Sequence, residues 1–292
     1  MSEQNQQAEN KVYTVKKKSK SKRFLIFIII ILFLWIFNCY TIRTNKYEVE
    51  TSKVNNSVRI AVISDLHASS WSIRNSRIVS HIKDTEPDIV MILGDTYSRN
   101  SLWDEIQIPI DLSAEIVNAG YPVYFVPGEH DTSEEYFSAL SKAGVHVMRY
   151  KEEIINVNNN NIRILGIDNA YYSSTFNLSN AFDRTPDTFT VLMAHIPNYK
   201  AFSEFGADLT LCGDSHGGII QLPFGLGPAY DAETSIWFPK LKNRNMTVYD
   251  KGLFDYEGGT MLVTSGLGLY PVPFRFNNRP EVAVIDIMPS LN

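Results

Sequence analysis

The chain has 292 residues, 44% of them hydrophobic, and a formal net charge of −5. That suits one large globular domain or two small ones. Residues 1–23 carry seven Lys or Arg against two Glu, which leaves an acidic body of about ten net negative charges and speaks against a general nucleic-acid-binding surface. Cys39 and Cys212 fit neither a disulfide framework nor a Cys-rich zinc site. No motif points to a protein partner.

The first fifteen residues are polar. Lys16–Arg23 then places six cations in eight residues, and Phe24–Ile42 runs nineteen residues without a charge. As a helix that run reaches roughly 28 Å, the thickness of a bilayer core. The basic block predicts a cytoplasmic N-terminus and an extracytoplasmic remainder. Asn38-Cys39-Tyr40 follows the apolar run in place of a small-residue cleavage site, which favours an uncleaved anchor over a signal peptide. The expected organisation is a basic cytoplasmic tail over 1–23, a transmembrane anchor over 24–42, a polar spacer over 43–57 and a catalytic domain over 58–292.

From Val58 onward, short apolar runs alternate with segments of helical spacing. Strands are predicted at Val58–Ser64, Ile89–Leu93, Val123–Pro127, Val145–Met148, Phe189–Ala194, Asp208–Cys212 and Glu281–Ile287. Helices are predicted at Ile73–Thr85, Leu102–Ala119 and Ser133–Ala143. Glu152–Val157 and Ile162–Ile167 flank four asparagines and read as a hairpin. The order β-α-β-α-β-α-β, then mostly β, predicts a layered α/β domain. Ile219–Gly259 is less periodic and too long for a plain connection, so it is read as a functional excursion. Phe224, Tyr230, Trp237 and Phe238 within it are candidates for an apolar wall or lid beside the site, or for a satellite core.

Five of the strands run into chemistry. Val58–Ser64 meets Asp65 and His67; Ile89–Leu93 meets Gly94 and Asp95. Val123–Pro127 meets Gly128, Glu129, His130 and Asp131; Phe189–Ala194 meets His195. The run ending at Cys212 meets Gly213, Asp214, Ser215, His216 and two glycines. In open α/β sheets the carboxyl edge is where ligands bind, and carboxylates and imidazoles gathered there are metal ligands first. Asp65, His67, Asp95, Glu129, His195, Asp214 and His216 can supply two ions, leaving His130 to act on a leaving oxygen. Asp131 or Thr132 reads as a helix cap. His81 and His146 lie away from these ends and read as structural. Arg99 is a candidate phosphate contact, and Asp168 a candidate supporting carboxylate.

The motifs SDLH, LGDT, PGEHD, AHIP and GDSHGG, in that order, resemble those of the calcineurin-like metallophosphoesterases, particularly their membrane-anchored bacterial branch. The late stretch GLGLYPVPFRFNNRPEVAVIDI resembles that family's closing strands. The resemblance implies a four-layer α/β fold, with two mixed β-sheets in a sandwich flanked by helices, here preceded by one transmembrane helix. It implies hydrolysis of a phosphate ester or pyrophosphate by a metal-bound hydroxide at a dinuclear site. It assigns Asp65, His67 and His216 to one metal, makes Asp95 the bridging carboxylate and puts His130 on the leaving oxygen. Two positions depart from the pattern: Glu129 stands where the family has Asn, and Asp214 where it has His. Four carboxylates in place of two take the formal charge of two divalent ions plus hydroxide from about +1 to about −1. Harder oxygen ligands shift preference from zinc toward manganese, iron, magnesium or calcium. The alternative expectation is a non-catalytic or single-metal binding protein on the same fold. An anchored domain also makes a lipid-linked phosphate a candidate substrate.

Overall fold

In the computed structural model, residues 20–168, 177–223, 226–231, 236–237 and 248–290 are described. Helix α1 (Lys20–Tyr40) is followed by strands β1 (Arg43–Thr51) and β2 (Val58–Ile63), α2 (Asn75–Lys83), β3 (Ile89–Ile92), α3 (Trp103–Asn118), β4 (Val123–Phe125), α4 (Glu134–Lys142) and β5 (His146–Val147). A second run holds β6 (Lys151–Val157), β7 (Asn160–Gly166), β8 (Phe189–Met193), α5 (Tyr199–Phe205) and β9 (Leu209–Cys212). Four two-residue strands follow, β10 (Gln221–Leu222), β11 (Gly227–Pro228), β12 (Tyr230–Asp231) and β13 (Ile236–Trp237). The chain closes with β14 (Gly252–Tyr256), β15 (Gly259–Val263) and β16 (Glu281–Pro289).

The two large sheets are mixed. One has the order β1-β16-β2-β3-β4-β5, the other β14-β15-β9-β8-β7-β6. Strands β2 to β5 run parallel, each step crossing through a helix, and β16 lies antiparallel to β2. In the second sheet β7, β8, β9 and β15 are parallel, with an antiparallel strand on each flank. Ile78, Ile82, Ile116, Tyr136 and Leu140 pack α2, α3 and α4 on one face of the first sheet. Ile60, Val62, Met91, Ile164, Val191 and Leu211 fill the space between the sheets. Ala201, Phe202 and Phe205 pack α5 on the far face of the second. The layers are therefore helix, sheet, sheet, helix, as expected, and each fully buried Val, Leu or Ile contributes about 1.5–3 kcal/mol.

The described residues up to Leu34 and those from Trp35 onward fall into two separate units. Within α1, Lys22–Tyr40 is long and apolar enough to cross a membrane by length and composition, and Phe24 to Phe37 carry mostly exposed apolar side chains.

Three stretches differ from the sequence expectations. Residues 43–57, read as a spacer, contain β1, which pairs in parallel with β16 from Arg43↔Glu281 to Thr51↔Pro289. As a half-exposed edge strand it offers only Tyr47 and Val49 to the core between the sheets, so its composition is that of a linker. Residues 219–259 hold β10 to β14 and the start of β15, so part of the presumed excursion is sheet. Phe224 and Phe238 lie outside the described residues, as does much of the segment around them. Of the presumed closing strands only β16 is one; residues 266–280 are a loop over the site. Helix α5 has no counterpart in the sequence reading because seven residues give too little periodicity. It is delimited by Asn198, whose side chain accepts from the Ala201 N–H, and by left-handed Gly206.

Candidate metal centre

The parallel strands β2, β3 and β4 send their carboxyl ends to one edge of their sheet, and β8 and β9 do the same in theirs. The loops that follow are tied together by backbone bonds. The N–H groups of Asp65 and His67 donate to the carbonyls of Gly94 and Asp95, both at 3.0 Å, and Gly213 N–H donates to His195 at 2.8 Å. The Asp214 N–H reaches across the sheets to Asp65 Oδ1 at 3.0 Å. Asp65, His67, Asp95, Asp214 and His216 all have φ between 41° and 66°. Left-handed backbone at non-glycine residues costs about 1–3 kcal/mol each and collects at functional sites.

Three groups of side chains place ligand atoms within 4.8 Å of one another: Asp65, His67 and His216; His67, Asp95 and His130; Asp65, Asp95 and His195. Asp95 Oδ2 lies 3.3 Å from His195 Nε2, 3.6 Å from His67 Nε2 and 3.8 Å from His130 Nε2. Asp65 Oδ1 lies 3.8 Å from the Nε2 atoms of both His195 and His216. Most of these gaps are too long for hydrogen bonds. They suit two ligands on one ion, which at metal–ligand distances of about 2.1 Å stand about 3 to 3.5 Å apart. Asp65 Oδ2, His67 Nε2, His195 Nε2 and His216 Nδ1 are buried without a hydrogen-bond partner. Orphaned polar atoms of this kind are costly unless an ion satisfies them. The residues therefore fit a dinuclear metal site.

The electrostatics agree. Burial pushes the Asp65 carboxyl up to about 7, with the His195 charge opposing and the Asp95 and Asp214 charges adding to it. Burial takes the His67 imidazole down to about 3 and holds His216 well below its ordinary value. Both rings are thus neutral, the form that binds metal. For His195 burial acts downward, but Asp95, Asp65 and Asp214 outweigh it and raise the ring well above its ordinary value. Without a cation, that proton is the main positive charge among these carboxylates, and a bound ion would take its place. His195 is already aimed for this, since its Nδ1 bonds to the Leu93 carbonyl at 2.6 Å and Nε2 faces the cluster. His67 Nδ1 is likewise held by Ser98 Oγ at 3.1 Å.

The remaining expected residues surround these groups. Glu129 Oε1 is 3.6 Å from His130 Nε2, and Asp214 Oδ1 is 3.9 Å from His195 Nε2. Neither belongs to the three tight groups, and the Glu129 side chain is 44% exposed. His130 accepts the Arg99 backbone N–H at Nδ1, 2.9 Å away. That bond selects the tautomer with its proton on Nε2, the nitrogen facing Asp95 and Glu129. The Arg99 side chain is exposed, with Nη2 3.5 Å from the Glu129 carbonyl. Asp168 pairs with Arg149 at 2.7 Å and does not join the cluster.

Several supporting residues escaped sequence reasoning. Asp131 is fully buried and accepts from Gly128 N–H, Thr96 N–H and Thr96 Oγ1, binding the loops after β3 and β4 to each other. Ser133, rather than Asp131, caps α4. Tyr270 stacks on His67 with ring centroids 4.2 Å apart. Asn278 Nδ2 donates to the His216 carbonyl at 2.7 Å, and the buried Arg275 guanidinium holds the carbonyls of Ser265 and Gly268. The sequence carried one signal for them, the polar residues inside the late apolar stretch. At Gly128 a Cβ would fall on the Asp95 carboxylate. Gly128→Ala is expected to displace Asp95 and weaken manganese binding by about 10–100-fold, the usual range for disturbed supporting contacts, and to lower the melting temperature, since the Cβ also meets the Asp95 backbone nitrogen. Calorimetric titration and thermal unfolding of the same sample check this.

Residues 58–218 match the calcineurin-like phosphoesterase family, a span that holds all five motifs. The Bacillus subtilis metallophosphoesterase YkuE is 25% identical over 264 residues, covering 85% of this chain and 86% of that protein. A transmembrane protein with a metallophosphoesterase domain from Danio rerio is 25% identical over 255 residues, covering 79% of this chain and 53% of that protein. Among solved structures, TT1561 of Thermus thermophilus aligns with a TM-score of 0.45 at 10% identity, over 73% of this chain and 91% of that one. With the motif order, the four layers and the buried His/Asp groups at the strand ends, the family match makes the chain a metallophosphoesterase, a phosphoric ester hydrolase belonging to the calcineurin-like phosphoesterase family.

Proposed function

We propose that the protein hydrolyses a phosphate ester or pyrophosphate at a dinuclear centre held by Asp65, His67, Asp95, His195 and His216, with Glu129 and Asp214 completing it. The sharing of Asp65 and Asp95 between ligand groups carries this reading, since each belongs to two of the three. A carboxylate common to two groups is what a pair of ions needs between them. Two divalent ions here would supply positive charge for the phosphate oxygens and acidify a water. The chain's own contribution is orientation and a proton. His130, fixed by the Arg99 backbone with its proton on Nε2, delivers it to the leaving oxygen, and the exposed Arg99 side chain meets the phosphate. Two added carboxylates favour manganese or another hard ion such as iron, magnesium or calcium over zinc.

The apolar segment 24–42 serves as a single-pass anchor in the cell membrane, with the basic tail inside and the phosphoesterase domain outside, as in the membrane-anchored bacterial branch. The pairing of a transmembrane segment with this domain in the Danio rerio relative supports it. A substrate that itself resides in the bilayer suits such a placement.

Metal analysis of the full chain, purified in detergent without chelator and titrated with manganese, tests the centre. Two ions per chain support the proposal. One ion supports the alternative single-metal binding protein, which the position of Glu129 and Asp214 outside the tight groups favours. The double variant Glu129→Asn with Asp214→His is expected to raise zinc affinity and phosphodiester turnover, by about 30-fold if each restored ligand recovers ~1 kcal/mol. Unchanged zinc binding and turnover would mean that these acids serve another purpose.

A further inference from the structure

An apolar cavity of about 350 Å³ opens beside His67, within the range of small-ligand sites. Its walls include Trp35, Tyr40, Trp71, Ile73, Leu269 and Pro273. Trp35 and Tyr40 come from the C-terminal part of the segment assigned to the membrane. Trp71, 78% exposed, and Leu269 come from the loops that flank the metal centre. The walls are fastened to one another: the Trp35 indole N–H donates to the Pro273 carbonyl at 2.9 Å, Arg275 N–H reaches Cys39 Sγ, and Asn277 N–H donates to Asn38 Oδ1. The same loop carries Tyr270 onto His67. The end of the apolar helix and the roof of the metal centre are thus one assembly, with the cavity inside it.

We infer that this cavity holds the hydrocarbon chain of a lipid substrate, so that the enzyme acts on a phosphate or pyrophosphate ester of a lipid while the phosphorus lies at the metal centre; this rests on the hydrolase reading. The lining is mainly apolar, with Ser69 and Ser72 among the walls, and hydrocarbon that covers such a surface removes it from water favourably. His67 links the two compartments, with Nε2 directed to the Asp95 group and the ring bordering the cavity. The exposed aromatics Trp71, Phe274 and Phe276 beside it suit the membrane–water boundary, where such rings concentrate.

The test uses the full chain in nanodiscs, loaded with manganese, and p-nitrophenyl alkyl phosphodiesters from methyl to octyl below their aggregation concentrations. The leaving group is constant and only the chain varies. In wild type kcat/KM is expected to rise about threefold to fourfold per methylene buried. In Trp71→Glu and Leu269→Glu, each referred to its own rate on the methyl ester, the rise should flatten. A wild-type protein that turns over the methyl ester but gains nothing with length retains the hydrolase reading and overturns the lipid cavity. So does a rise that both variants keep. Inactivity toward every ester defeats the hydrolase reading. Binding of octyl against methyl phosphonate, followed by tryptophan fluorescence, then decides the cavity: preference for octyl that Leu269→Glu, which keeps every tryptophan, abolishes sustains it, and equal binding ends it.

Discussion

Asp95→Asn is expected to abolish dinuclear manganese binding and to cut phosphodiester turnover by more than about 100-fold, beyond the 10–100-fold typical of outer contacts to metal ligands. The substitution keeps shape and removes charge. Asp95 Oδ1 accepts the His130 N–H at 2.9 Å, a bond an asparagine oxygen can keep. Oδ2 is the atom facing His195, His67 and His130, and an amide nitrogen there neither binds a cation nor attracts the imidazolium. Burial alone would raise this carboxyl, yet His195, His67 and His130 hold it well below the ordinary range. The surroundings are built for a negative charge at this position. The backbone bonds from His67 to the Asp95 carbonyl and from His130 to the side chain survive, but the metal-free fold should lose melting temperature, because the buried His195 imidazolium loses its nearest carboxylate. Two manganese ions bound at wild-type affinity would remove Asp95 from the bridging role.

His130→Ala should spare metal content and lower kcat by about 10²–10⁴ for esters with alkyl leaving groups, the usual contribution of a positioned general acid. The loss should shrink to about tenfold or less with p-nitrophenyl leaving groups, which depart without a proton. The split arises from geometry. The Arg99 N–H occupies Nδ1, so the ring can give a proton only from Nε2, toward the metal groups. A loss of equal size for both leaving groups would turn His130 into a metal ligand, for which its place with His67 and Asp95 already provides the atoms. Manganese stoichiometry of the variant separates the two roles independently.

Much of this architecture is local in origin and therefore legible along the chain. Val58–Ile63, Ile89–Ile92, Phe189–Met193 and Leu209–Cys212 are apolar runs interrupted only by Arg59, Thr190 and Thr210, because both faces of their strands are largely buried. Their ends are sharp because glycine, acid and imidazole begin where the strands give way to loops that are still buried, as Asp65, Asp95 and His195 are. The helix spacing of Asn75–Lys83, Trp103–Asn118 and Glu134–Lys142 was readable for the same reason. Once the strands are parallel, the chemistry at their ends must converge, so the central residues of the site could be named from order alone.

What escaped depends on partners distant in the chain. β1 is a strand because β16 lies beside it, and its exposed outer side keeps its composition polar. Asp131 resembles a helix cap until the loop carrying Thr96 folds against it. Tyr270 and Arg275 sit in an apolar stretch whose role appears only when it crosses over His67.

By itself the sequence determined the apolar N-terminal segment, the alternation of strand and helix, and the set of acids and imidazoles at the strand ends. Each of these rests on contacts within one element or on burial repeated along it. The tertiary structure decided which of those ligand atoms stand within reach of a common ion, which nitrogen of His130 and His195 faces inward, and that an apolar cavity lies between the helix end and His67. Those outcomes are set by left-handed backbone at Asp65, His67, Asp95, Asp214 and His216 and by hydrogen bonds across the two sheets. No pattern of neighbouring residues encodes them, because the energy that holds them comes from the packing of the whole sandwich.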